Sequence, residues 1–139
     1  MKNIAFIGTS HIHTPNFISR VNSNNQINCI GVWDKDKNRS KSDSEKLQCK
    51  NYDNYIDLLK EPNLDGVIVC SETNLHYELV KQITENKKNC FIEKPLGIGK
   101  KDSFEMANLI ESSNIIFQTG YFMRRNPVYI KLKELITAN

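Results

Sequence analysis

The sequence predicts a doubly wound parallel α/β sheet, and three observations carry that expectation. Short apolar runs recur along the chain with helix-like stretches between them: Ile4 to Ile7, Ile27 to Trp33, Gly66 to Cys70, Cys90 to Ile92 and Ile115 to Gln118. The run Gly66-Val67-Ile68-Val69-Cys70 is continuous and β-branched rather than alternating, the pattern of a central strand covered on both faces. Gly8 directly follows the first run, where the chain needs a tight turn from strand into helix.

Each element follows from local pattern. Ile4 to Ile7 is an almost wholly apolar strand, and a helix from about Pro15 to Val21 leads to the second strand, Ile27 to Trp33. A polar helix from about Lys37 to Leu47 precedes a weak edge strand near Cys49. Ile56, Leu58 and Leu59 belong to a short helix whose end is marked by Pro62. After the central strand come a helix from Leu75 to Glu85, strand Cys90 to Ile92, a helix from Asp102 to Ser112, strand Ile115 to Gln118 and a helix from Val128 to Ile136. Strand and helix alternate throughout, which calls for a right-handed crossover at each step.

Composition narrows the function classes. A chain of 139 residues, 39% hydrophobic and 25% charged, has the size and balance of one soluble domain. No stretch reaches the roughly 18 apolar residues of a membrane helix. Met1-Lys2-Asn3 runs into the first strand with no secretory apolar region, so a cytoplasmic location is expected. A net charge of +3, with lysine doublets at 87 and 88 and at 100 and 101, argues against nucleic acid as a partner. Cys29, Cys49, Cys70 and Cys90 fall about twenty residues apart, matching the strand-helix repeat rather than a metal or redox motif, and are expected to be buried reduced thiols.

Two segments carry chemistry. Gly8-Thr9-Ser10-His11-Ile12-His13 occupies the place of a dinucleotide fingerprint but keeps only the first of its three glycines. Ser10 and His13 stand at the other two, so phosphate would be held by amides at the helix start and by the hydroxyls of Thr9 and Ser10. Asp34 ends the second strand, where a carboxylate accepts hydrogen bonds from an adenosine ribose and favours NAD. Lys35 and Arg39 lie close enough to meet a 2′-phosphate, which leaves NADP open. The second segment is Glu93-Lys94-Pro95, where Pro95 stiffens the turn after a strand and Lys94 is placed at the carboxyl edge, the ligand-binding edge of a parallel sheet.

Taken with Val67-Ile68-Val69-Cys70-Ser71-Glu72-Thr73-Asn74-Leu75-His76, with Glu93-Lys94-Pro95-Leu96 and with Gly120-Tyr121-Phe122-Met123-Arg124-Arg125-Asn126-Pro127, these features make the chain resemble the N-terminal domain of the Gfo/Idh/MocA family, the glucose-fructose oxidoreductases and inositol dehydrogenases. The resemblance implies a Rossmann-type fold over residues 1–122, with 123–139 a connecting helix toward a second, α+β substrate domain that this chain lacks. It implies a nicotinamide dinucleotide held by Gly8, Thr9, Ser10, His11, Asp34, Lys35, Arg39, Ser71, Glu72, Thr73, Asn74, Glu93, Lys94 and Gly120. It also implies hydride exchange with a sugar or cyclitol, in which Lys94 relays the alcohol proton, Glu93 orients Lys94 through a charge-assisted bond and His76 stands near the nicotinamide. Glu72 and Thr73 depart from the threonine and proline common in relatives, and a carboxylate at 72 would repel a pyrophosphate.

Other readings stay beside this one. Lacking the substrate domain, the chain is expected to be a fragment of a longer enzyme, a shortened gene product or a free-standing module, and a non-catalytic NAD(P)-binding or regulatory protein is the alternative to an active dehydrogenase. His11-x-His13 also resembles the metal pair of amidohydrolase barrels. Only His76 remains as a further histidine and no cysteine or carboxylate has suitable spacing, so no metal is expected. The uncovered C-terminal helix makes a homo-oligomer a further expectation.

Overall fold

The structure is a computed structural model, and it describes residues 1–138. Strands β1 (Lys2–Ile7), β2 (Ile27–Trp33), β3 (Lys50–Asn51), β4 (Gly66–Val69), β5 (Asn89–Ile92) and β6 (Phe117–Thr119) alternate with helices α1 (Thr14–Asn22), α2 (Lys37–Lys46), α3 (Tyr55–Leu59), α4 (His76–Glu85), α5 (Lys100–Ser113) and α6 (Pro127–Thr137). Single 3₁₀ turns at Thr73–Leu75 and Phe122–Arg125 lead into α4 and α6. All six strands are parallel, in the order β3-β2-β1-β4-β5-β6. The chain therefore winds outward from β1 in one direction, then returns to place β4 on the other side of β1. That reversal opens a crevice beyond the carboxyl ends of β1 and β4.

Alternate residues of β1 feed two apolar layers. Phe6 joins Ile18 and Val21 of α1, Val32 of β2 and Leu47 on one face. Ala5 and Ile7 point the other way, into a larger cluster with Val67, Val69, Ile92, Leu79 and Ile83 of α4, and Met106 of α5. Covering on both faces is what the unbroken apolar character of β4 required. Helix starts are capped by side chains where the sequence supplies them: Asp36 accepts from the Asn38 and Arg39 amides, and Asn54 accepts from Ile56. Each such cap is worth about 1 kcal/mol.

The differences from the sequence reading are at the edges. The edge strand near Cys49 is two residues of polar chain, Lys50–Asn51. The last strand begins at Phe117 rather than Ile115, because Asn114 turns left-handed (φ 57°) to end α5 and the Asn89 side chain takes the Ile116 amide at 2.9 Å. Cys70 and Cys90 are buried as expected, whereas Cys29 and Cys49 are only half-buried and bring their sulfurs within 3.7 Å of each other. Among the described residues no helix is long and apolar enough to cross a membrane.

Candidate functional site

The crevice is built around Gly8. Its φ of +75° is left-handed, and a Cβ placed on it would lie 2.3 Å from the Ser71 Cβ, so no other residue lets the ends of β1 and β4 come this close. The turn that follows is tied to β4, since the His11 amide donates to the Cys70 carbonyl at 2.9 Å and Ser10 Oγ lies 3.4 Å from the same oxygen.

On the β2 side, Asp34 is fully buried and every acceptor position of its carboxylate is used. Oδ2 accepts from the Thr9 amide at 2.6 Å, the Thr9 hydroxyl at 3.2 Å and Arg39 Nε at 3.0 Å; Oδ1 accepts from the Asp36 amide at 2.8 Å and Arg39 Nη2 at 2.8 Å. Burial pulls the Asp34 carboxyl upward, but the Arg39 guanidinium and the two amides outweigh it and hold it below the ordinary carboxylate value. Hydrogen bonding to Asp34 in turn pushes Arg39 up. Two expectations change here. Thr9 spends both its amide and its hydroxyl on Asp34 and has no donor left for phosphate, and Asp34 has no oxygen open to a ribose while Arg39 is in place.

Glu72 is also neutralised. Lys35 lies 3.0 Å and Arg39 Nη2 3.5 Å from its Oε1, so the repulsion expected of a carboxylate at this position is countered by two cations. Desolvation opposes its charge, yet its own amide and Lys35 hold its carboxyl below the usual value. Between the Gly8 turn and α2 lies a cavity of about 400 Å³ lined by Thr9, Ser10, Ile12, Arg39 and Lys46. Lys46 was not foreseen; the signal was on α2, where Ser40, Asp43 and Ser44 recur at helical spacing and are buried despite being polar.

On the β5 side, Glu93 is buried at the strand end. Its Oε2 accepts from the Lys94 amide at 3.0 Å and its Oε1 lies 3.0 Å from His13 Nδ1. The expected bond from Glu93 to the Lys94 ammonium is not made: among the described residues Lys94 has no ion-pair partner, because the carboxylate is already committed to a backbone N–H and an imidazole. Gly120 completes this wall, since a Cβ there would lie 2.8 Å from Glu93 Oε2. The Lys94–Pro95 peptide is cis.

His76 is buried behind the loop. Its Nδ1 faces the Pro95 and Leu96 carbonyls at 3.0 and 3.1 Å and must donate to them, while its buried Nε2 has no partner. His11 is held below the ordinary imidazole value, first by burial and then by the charges of His13, Lys94 and His76, against the opposing pull of Glu93. His13, read from the sequence as a residue replacing a glycine, is the neighbour that reasoning missed; the reversal of strand order brings it to Glu93 across 80 positions. The structure thus gathers Gly8, Thr9, Lys35, Asp34, Arg39, Ser71 and Glu72 into one half of the crevice, and His11, Glu93, Lys94 and Gly120 into the other, with His76 buried behind the Pro95–Leu96 loop rather than facing the crevice. Thr73 lies in the 3₁₀ turn and Asn74 is exposed on it.

A parallel sheet of this strand order, with its ligand crevice between β1 and β4, is a Rossmann-type nucleotide-binding domain. Comparison with known proteins supplies the family. Residues 2–121 match the Gfo/Idh/MocA model, described as an oxidoreductase family with an NAD-binding Rossmann fold, and the chain belongs to that family. It is 36% identical over 106 residues to a myo-inositol 2-dehydrogenase of Thermotoga maritima, which covers 76% of this chain and 32% of that protein. It is 26% identical over 129 residues to the NAD(+)-dependent scyllo-inositol 2-dehydrogenase of Bacillus subtilis, covering 92% of this chain and 37% of that one. The crystal structure of myo-inositol 2-dehydrogenase from Lactobacillus plantarum superposes with a TM-score of 0.82 at 26% identity, covering 99% of this chain and 41% of that one. The chain spans between about a third and two fifths of the length of such relatives.

Proposed function

We propose that this chain is the coenzyme-binding part of an NAD(P)-dependent oxidoreductase acting on a secondary alcohol of a cyclitol or sugar. The observation that carries the reading is the position of Glu93-Lys94 at the carboxyl end of β5, across the crevice from the Gly8 turn, with Lys94 half-buried and its ammonium uncommitted. Relatives named as inositol dehydrogenases support the substrate class.

The residues present fit a nicotinamide dinucleotide. Gly8 provides the close approach of backbone that a Cβ would block, and the cavity beside it is lined by Arg39 and Lys46, which a phosphate would draw from their present partners Asp34 and Asp43. Among the described residues the Ser10 and Ile12 amides have no acceptor, and they take over the phosphate-binding role that Thr9 cannot fill. The coenzyme in this reading is NAD, whose ribose hydroxyls reach Asp34 once Arg39 swings toward solvent; NADP is the alternative, with Arg39 and Lys35 on the 2′-phosphate.

When bound, the nicotinamide ring supplies the hydride acceptor. Lys94 is the side chain placed to exchange the hydroxyl proton, while the carbinol hydrogen would pass as hydride to that ring and the alcohol would become a ketone. Glu93 fixes the Lys94 backbone through its amide, and His76 fixes the following loop through the Pro95 and Leu96 carbonyls. Calorimetric titration with NAD and NADP tests the reading, followed by assay of reduced nicotinamide with myo-inositol. Sub-millimolar binding with polyol-dependent reduction supports it; binding without turnover on any polyol keeps the coenzyme-binding role and removes alcohol chemistry from this chain alone; absence of binding at millimolar coenzyme overturns the reading whole.

A further inference from the structure

We propose that His11, His13 and Glu93 form a three-ligand site for a divalent cation of the zinc class, with the fourth coordination position open to water or a ligand oxygen. The ligand atoms of these three side chains all lie within 4.8 Å of one another. His13 Nδ1 is 3.0 Å and His11 Nδ1 3.9 Å from the same Glu93 oxygen. Two ligands of a tetrahedral zinc, each at about 2.0–2.2 Å from the metal, stand about 3.4 Å apart. The observed separations bracket that spacing, so small side-chain adjustments would bring the three donors around one ion.

The donor set suits a borderline cation, with two imidazoles and one carboxylate in place of the all-oxygen shell that calcium or magnesium requires. Glu93 is pre-oriented, because its second oxygen is held by the Lys94 amide at 3.0 Å. Outer bonds of that kind fix a metal ligand's direction. The His11 and His13 rings meet edge to face with centroids 4.8 Å apart, and the His13 amide reaches His11 Nδ1 at 3.2 Å, a long bond that a cation would replace. The Glu93 carboxylate is buried while His13 is half-exposed, which leaves an entry path from solvent. On that side a cavity of about 450 Å³, lined by His13, Glu93, Phe17, Phe91 and Gly120, provides room for the fourth ligand. The ammonium of Lys94 on the neighbouring residue opposes a dication, and the single carboxylate offsets only one of its two charges. The site is therefore one of moderate affinity rather than a structural zinc centre.

The site goes beyond the coenzyme reading and is tested without nucleotide. Untagged protein is titrated with zinc chloride against a chromophoric chelator, alongside His13→Asn and Glu93→Gln, with circular dichroism to establish that each variant is folded. The Gln side chain keeps an oxygen for the Lys94 amide. One equivalent bound at micromolar affinity, weakened roughly tenfold or more in each variant, supports the proposal. Cobalt(II) should then show the visible bands of a tetrahedral ion with no thiolate charge-transfer band. Zinc binding unchanged in both variants, a thiolate band pointing to Cys29 and Cys49, or no uptake at millimolar zinc would overturn it. Coenzyme affinity is measured separately, so failure of either idea leaves the other standing.

Discussion

Asp34 and Arg39, five residues apart across the β2–α2 connection, hold each other through two side-chain bonds, Nε to Oδ2 at 3.0 Å and Nη2 to Oδ1 at 2.8 Å. The carboxylate is buried and the guanidinium is 31% exposed, so the pair is anchored from the protein side and accessible from the crevice side. Two forked bonds to a desolvated carboxylate are among the stronger polar contacts available to a fold.

Removing the charge at Asp34 therefore costs stability. Asp34→Asn takes from Arg39 its buried, doubly bonded counter-charge, leaving only the longer contacts to Glu72 and Asp36, and places an amide N–H₂ against donors from Thr9, Asp36 or Arg39. The expected loss is about 3 kcal/mol in urea unfolding at neutral pH. The pH dependence has a definite sign: a carboxyl held below its ordinary value of about 3.9 contributes its full stability above that pH and loses it as pH falls through the depressed value. Wild type should lose more stability than Asp34→Asn between pH 5 and pH 3, and parallel losses in the two proteins would sink this account.

Coenzyme preference should answer to Arg39. Arg39→Ala frees both Asp34 oxygens for a ribose and removes the cation nearest a 2′-phosphate. Calorimetry should show the ratio of NAD to NADP affinity rising at least roughly tenfold, the worth of one charged hydrogen bond. An unchanged ratio would mean that the adenosine ribose lies elsewhere.

Gly8→Ala tests the narrowest point of the crevice. The new methyl must occupy space within 2.3 Å of the Ser71 Cβ on a backbone at φ +75°, so β1 and β4 have to separate at their carboxyl ends. A loss of at least about 2 kcal/mol, together with loss of dinucleotide binding, is expected. Unaltered binding in a stable variant would show that the turn relaxes freely.

The sheet was legible because buried parallel strands write themselves as apolar runs, and Gly66-Val67-Ile68-Val69 could scarcely be anything else. Lys50–Asn51 was nearly invisible because a two-residue edge strand buries neither side chain. In the site, residues that act through local geometry were readable: Gly8 through its place after a strand, Asp34 and Glu93-Lys94 through theirs at strand ends. What could not be read was which donor takes which acceptor. Arg39 closes on Asp34 and Glu93 turns to its own chain's next amide and to His13, choices decided by side-chain direction and by a strand order that brings distant positions together.

Helix α6 stands apart from the rest in its energetics. None of its residues is buried, with Val128, Leu132, Leu135 and Ile136 between 51% and 71% exposed, and its neighbour in the fold is the Phe122–Arg125 turn rather than the sheet. An 11-residue helix is marginal by itself in water, where isolated helices need about 12–15 residues. Its backbone amides should accordingly exchange with solvent long before those of β1 and β4. Truncation after Asn126 should shift the unfolding free energy by less than about 1 kcal/mol, because almost no apolar area returns to water. Val128, Leu132, Leu135 and Ile136 recur at helical spacing, so the exposed aliphatic side chains line one stripe of α6 and offer a surface for self-association. Sedimentation at rising concentration should therefore show the full chain associating while the truncated one stays monomeric. A stability loss above about 2 kcal/mol on truncation would instead mean that α6 docks against the core.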